Sequence, residues 1–226
     1  MVTPYDWQEG MRHRASYVQQ RLTGGSPVIA ISHEKGVLLF TIRRRARKIF
    51  EIYDRLALAT VGQQSDVESL RVAAIDFAHQ EGFQRSEEDV TIQRIVMAMS
   101  QPLKRAFGDF NSAPFVARAL FAEVGDAAAE DKYYILDYDG DFSVRERWAI
   151  LIGDGDLTPT IRERLDAIQG KKQTLDAAIE ALEGVWGQLV APDGKGNVRT
   201  NAGDLHVEAA ILYRNSDREQ RFVTLR

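Results

Sequence analysis

Leu56-Ala-Leu-Ala-Thr-Val61, followed after three residues by Ser65-Asp-Val-Glu-Ser-Leu-Arg-Val-Ala-Ala-Ile-Asp-Phe-Ala78, is where the apolar period changes from two to 3.6. The first run reads as a β-strand. In the second, Val67, Leu70, Ala74, Phe77 and Ala78 stack on one helical face behind a Ser65-x-x-Glu68 capping box, which predicts a helix starting there. A second helix is expected behind Ser86-x-x-Asp89, with Ile92, Ile95, Val96, Met99, Leu103 and Phe107 on one face. Upstream, residues 27–31 and 36–42 read as a strand hairpin with a polar turn at 33–35, and residues 49–52 as a further strand. Before them, Trp7, Met11, Ala15, Val18 and Leu22 form the apolar stripe of a helix over 5–22 that Gly24-Gly25 ends. Downstream, strand signals return at 115–124, 133–138 and 149–152, with Asp139-Gly140 as a tight turn, giving three or four strands. Thr158-Pro159 opens a helix stopping near Gly170, a fourth with Leu175, Ile179, Leu182, Trp186 and Leu189 follows, and strands at 205–213 and 221–225 close the chain.

Strand block, helix pair, strand block, helix pair is not the alternation of a doubly wound parallel sheet. Each amphipathic helix must bury one face, and two stacked sheets with a helix pair on each outer side satisfy all of them. The expected class is therefore α+β, a four-layer αββα sandwich preceded by a helix. With no repeat and no low-complexity linker, one domain over 1–226 is expected, residues 1–25 forming the terminal segment and helix and 26–226 the sandwich.

The 226 residues carry 29 Lys+Arg against 33 Asp+Glu, so the net charge of −4 excludes a polycation. A hydrophobic share of 44% with 27% charged residues fits an ordinary globular chain. Without cysteine there is no disulfide, thiol nucleophile or Cys-ligated zinc. Asp6, Glu9, Arg12 and Arg14 occupy the place of a signal peptide's apolar core, and the longest apolar stretch falls far below the ~20 residues of a membrane span, so a cytoplasmic location is expected.

Few motifs carry chemistry. His13, His33, His79 and His206 show no pair at ligand spacing, and no metal or cofactor is expected. Asp137-Tyr-Asp139-Gly140-Asp141 has its glycine in the fourth place of a calcium loop instead of the sixth, so a hairpin turn explains it better. The glycines at 153 and 155, and at 194 and 196, lack the remaining residues of a phosphate loop. Arg43-Arg44-Arg45-Ala46-Arg47-Lys48 is a basic run in a slightly acidic protein, suited to a solvated loop or an acidic partner; nucleic acid is less favoured, since no aromatic platform accompanies it.

Met11-Arg-His-Arg14, Gly36-Val-Leu-Leu39, Lys48-Ile-Phe-Glu-Ile-Tyr-Asp-Arg55 and Leu70-Arg-Val-Ala-Ala-Ile-Asp-Phe-Ala78, in this order and spacing, resemble the α-type subunits of bacterial 20S proteasomes, within the superfamily of N-terminal-nucleophile hydrolases. The likeness runs from Pro4 to about Phe222. It implies the αββα fold that the periodicity reaches separately. Catalytic β-type relatives expose a threonine as the first residue, its own amine acting as base, with a lysine and an acid nearby. The matching places here are Ser26, followed by Pro27, and Ile42, which cannot ionise; only Lys48 is retained. No catalytic residue is therefore expected.

The resemblance implies a heptameric ring of this chain, stacked on a ring of β subunits that supply hydrolysis. Met1, Val2, Thr3, Pro4 and Tyr5 would form the axial gate, and Trp7, Met11, Ala15 and Val18 would meet neighbouring subunits. Lys48 would receive the C-terminal carboxylate of a ring ATPase or other activator. Tyr5-Asp6 only echoes the tyrosine-aspartate gate motif of archaeal and eukaryotic relatives, and Gln19 stands where relatives carry an arginine. Two rival functions remain at this point: a self-compartmentalising threonine or serine peptidase of one subunit type, and a binder of an acidic partner or nucleic acid through 43–48.

Overall fold

The computed structural model describes residues 4–153, 157–169, 171–191, 205–215 and 220–226. Helix α1 (Pro4–Leu22) leads into β1 (Val28–His33), β2 (Gly36–Arg43), β3 (Ile49–Tyr53) and β4 (Leu56–Gly62). The helices α2 (Gln64–Gln84) and α3 (Ile92–Gly108) precede β5 (Ala117–Glu123), β6 (Lys132–Leu136), β7 (Phe142–Arg145) and β8 (Trp148–Leu151). Then come α4 (Pro159–Gln169), α5 (Leu175–Val190), β9 (His206–Tyr213) and β10 (Phe222–Thr224).

The strands form two antiparallel five-stranded sheets, ordered β10-β9-β2-β1-β8 and β3-β4-β5-β6-β7. Three apolar clusters separate four layers. Val28, Ala30, Val37 and Leu39 of the first sheet meet Ala57, Ala59, Leu120 and Ala122 of the second. Alternate side chains of the second sheet, including Leu58 and Phe121, pack on Leu70 and Ala74 of α2 and Ile95 and Met99 of α3. Those of the first, including Ile29, Leu38 and Phe40, pack on Leu165 of α4 and Ile179, Leu182 and Trp186 of α5. Period-two alternation explains how one strand feeds two cores. The αββα sandwich is as expected.

Two local expectations are corrected. Helix α2 begins at Gln64 after Gln63, so Ser65 lies inside the first turn, and Glu68 is ion-paired with Arg71 at 2.8 Å instead of closing a capping box. Behind Ser86 there is only a short 3-10 turn, Glu87–Asp89. Val90 is then drawn into the core in an extended conformation, and α3 starts at Ile92, whose N–H donates to the Glu123 carboxylate at 3.2 Å. The second strand block has four strands, within the three or four expected, the one without its own apolar run being the edge β7 beyond the Asp139-Gly140 turn, where Gly140 takes φ 86°. Thr158 does cap α4, accepting the Ile161 N–H. Gly155, Gly170, Gly194 and Gly196 lie outside the described residues.

Helix α1 crosses the open end of the sandwich. Val18 and Leu22 are fully buried in the inter-sheet core, with Met11 and Ala15 packed against it. The Arg14 guanidinium ties the helix down by donating to the carbonyls of Ser112 and Ala106 at 2.9 and 3.0 Å. After Leu22 the chain turns sharply, Gly24 taking φ 77°, and delivers residue 26 to the mouth of the sandwich.

Candidate functional site

The segment 23–27 leaving α1, the 44–48 crossover from β2 to β3, the end of β8 and the C-terminal end of α5 enclose a cavity of about 700 Å³. Its walls include Ser26, Ile42, Arg44, Arg45, Lys48, Ile152, Trp186 and Leu189. Segments far apart in sequence thus meet at one place because β2 and β3 belong to different sheets and the chain must cross between them.

Ser26 is held as part of the framework. Its hydroxyl donates to the Ile42 carbonyl and lies 3.3 Å from Thr41 Oγ1. Pro27 is fixed as well, its carbonyl accepting from Thr41 Oγ1 at 2.7 Å and Trp186 Nε1 at 3.0 Å. The Lys48 ammonium donates to the Ser26 carbonyl at 2.9 Å. Burial lowers its pKa to about 8, against the opposing attraction of the Glu208 carboxylate.

Glu208 of β9 organises the crossover. It is 2% exposed, accepts the backbone N–H of Lys48 at 3.0 Å and of Ile49 at 3.3 Å, and is ion-paired with Arg43 at 3.1 Å and Arg47 at 3.6 Å. These contacts divide the basic run. Arg43 and Arg47 are paired with Glu208 and Lys48 is bonded to Ser26, whereas Arg44 and Arg45 line the cavity with no ion-pair partner among the described residues. Sequence reading missed Glu208; its signal is a lone acid in the apolar run Val207-Glu208-Ala-Ala-Ile-Leu212, opposite Thr41 on β2.

The residues singled out from sequence divide three ways. Ser26, Ile42 and Lys48 do converge. Of the four residues expected to touch neighbouring subunits, Val18 is 0% exposed inside this chain's own core, which corrects its assignment, and Met11 and Ala15 pack inward too, because the stripe of α1 is needed to close the sandwich. Trp7 stays 49% exposed, in edge contact with Phe110. Of the expected gate residues, Pro4 and Tyr5 belong to the first turn of α1, with Tyr5 83% exposed, while Met1, Val2 and Thr3 lie outside the described residues. A proline at the start of a helix forfeits no intrahelical hydrogen bond. No helix among the described residues is long and apolar enough to cross a membrane.

A family model for the proteasome subunit matches residues 23–193. The chain is 30% identical over 223 residues to a proteasome subunit alpha of Kineococcus radiotolerans, covering 96% of this chain and 92% of the relative. It is 32% identical over 213 residues to a proteasome subunit alpha of Xylanimonas cellulosilytica, covering 90% and 84%, and 28% identical over 218 residues to one of Nocardioides sp., covering 96% and 82%. Sandwich, converged cluster and matched length agree, and the chain belongs to the proteasome subunit family.

Proposed function

We propose that this chain is a non-catalytic α-type subunit of a bacterial 20S proteasome core particle, acting in the cytoplasm as the outer heptameric ring above a ring of β subunits. The observation that carries this reading is the Ser26 site. An N-terminal nucleophile needs a free amine on the nucleophilic residue and an acid beside the lysine. Here residue 26 is bound within the chain behind α1, its hydroxyl is committed to the Ile42 carbonyl, and an aliphatic side chain stands where the acid is required. The same observation disfavours a peptidase made of this chain alone.

The wider role follows by family likeness. Residues 1–5 would form the gate, Trp7 would face the neighbouring subunit, and Lys48 would receive the carboxylate of an activator's C-terminal tail. The cavity wall carrying Arg44 and Arg45 supports the last assignment, since guanidinium groups form charge-assisted hydrogen bonds with a carboxylate.

The decisive experiment mixes the purified chain with a β subunit of the same genome and follows native mass and peptide hydrolysis. The expected result is no hydrolysis by the chain alone and, with the β subunit, a stacked-ring mass together with activity. Hydrolysis by the pure chain that Ser26→Ala abolishes would overturn the reading.

A further inference from the structure

We propose that Lys48 is an acylation site: its amine, at the wall of the cavity that Arg44 and Arg45 also line, takes the acyl group of a small anionic acyl donor such as an acyl phosphate. This holds whether or not Lys48 docks an activator.

Three features of the cavity converge on that chemistry. Arg44 and Arg45 line it, exposed and without a carboxylate partner among the described residues, so an anionic donor meets two cations on entering. Ile42, Ile152, Trp186 and Leu189 provide apolar surface for the acyl chain. The amine itself is anchored by its bond to the Ser26 carbonyl, which a neutral amine retains while its lone pair is free to face the cavity. The charged groups on the elements around it are Glu208, whose attraction favours the ammonium, and Arg43, Arg44, Arg45 and Arg47 of the same crossover, two of them ion-paired with Glu208. Burial dominates, with the ammonium at about 8, so a substantial neutral fraction exists near neutrality.

In the reaction the neutral nitrogen attacks the acyl carbon. A C–N bond forms, the C–O bond to phosphate breaks, phosphate leaves with the electron pair, and the surplus proton passes from nitrogen to water. No oxidant or reductant is needed. The product amide keeps one N–H for the Ser26 carbonyl but has lost its charge.

Acetyl phosphate added to the full chain, with time points read by site-resolved mass spectrometry, tests this, the exposed Lys35, Lys104, Lys132, Lys171 and Lys172 serving as references in the same molecule. At pH 7.5 an amine titrating near 8 holds on the order of a hundredfold more neutral form than an ordinary lysine, and after restricted access is allowed for, Lys48 should react at least about tenfold faster than any reference. Its rate should level off above pH 8 while the others climb. In the Arg44→Ala/Arg45→Ala variant, which alters only exposed side chains, Lys48 should slow several-fold with the reference rates unchanged. Equal rates at Lys48 and the exposed lysines, or a Lys48 rate indifferent to both arginines, would overturn the proposal.

Discussion

The carboxylate of Glu208 and the main chain of Lys48 are joined across two sheets: Oε2 accepts the Lys48 N–H at 3.0 Å, and Oε1 accepts that of Ile49. A buried acid thus satisfies the first donors of β3 and gathers Arg43 and Arg47 above them. Glu208→Ala leaves buried donors and guanidinium groups without their acceptor. Removing one member of such a buried charged set is expected to destabilise by about 3–5 kcal/mol. Glu208→Gln, which keeps an acceptor but not the charge, should lose less. Urea unfolding of both variants checks this; a loss below ~1 kcal/mol for the alanine variant would contradict the role assigned to Glu208.

The lowered Lys48 value has a definite sign in stability. Between about 8 in the folded chain and 10.5 for the ordinary side chain, the unfolded state binds more protons than the folded one. Stability therefore rises with pH through that interval, and the desolvation penalty is fully present below about 8. Tyr133, buried beside Ser32 and Asp131, has its phenol raised well above its ordinary value and acts in the opposite sense in more alkaline solution, so the clean window lies at about pH 8 to 9.5. Lys48→Met should flatten the rise within that window. An identical pH profile in the two proteins would show that the amine is not desolvated.

Arg214 and Asp131 form the most enclosed ion pair described, with bidentate contacts of 2.8 and 2.9 Å. Arg214 also donates to the carbonyls of Gly125 and His33, joining the two sheets at the end away from the cavity. Asp131→Ala should cost about 3–5 kcal/mol, by far more than removing an exposed pair such as Arg226 and Asp176. Thermal denaturation of Asp131→Ala and Asp176→Ala side by side makes the comparison.

Two glycines separate a backbone contact from a side-chain contact. A Cβ on Gly153 would stand 1.9 Å from the Leu22 carbonyl oxygen, whereas on Gly10 the nearest obstacle is the Phe110 ring at 2.7 Å, which can rotate aside. Gly153→Ala is expected to displace the last turn of α1 and to cost about 1–3 kcal/mol, with hydrogen exchange rising at 18–22; Gly10→Ala should be the milder of the two. Equal protection of α1 in both variants would show that the helix end tolerates the shift.

The layering was legible because each period is enforced by burial: α3 and α5 read correctly from Ile95 to Leu103 and from Ile179 to Leu189 since those faces meet a sheet. Helix starts were less so. The Ser65 and Ser86 signatures are local, whereas the demand of Val90 for a place in the core decided where α3 begins. The stripe on α1 was recognised, yet periodicity says only that a face is covered, not whether the same chain or another covers it, and Val18 proved to be internal. Ser26, Ile42 and Lys48 were found through family likeness. Glu208 was not, because it lies 160 residues from Lys48 in sequence and its task exists only after the sheets have stacked.

The anchoring of Ser26 sets a high cost on building an N-terminal nucleophile at this place. An acid at position 42 would put a carboxylate at a site 7% exposed in the outer core with Ile29, Leu38 and Trp186, at a cost of several kcal/mol before any partner charge is in place. A threonine at 26 would remain useless until the chain before it was cut, and that cut would detach Val18 and Leu22 from the core they fill. Each change is harmful without the others. A nucleophile at position 26 could thus be installed only by several changes made together, each of which disturbs packing that the sandwich uses.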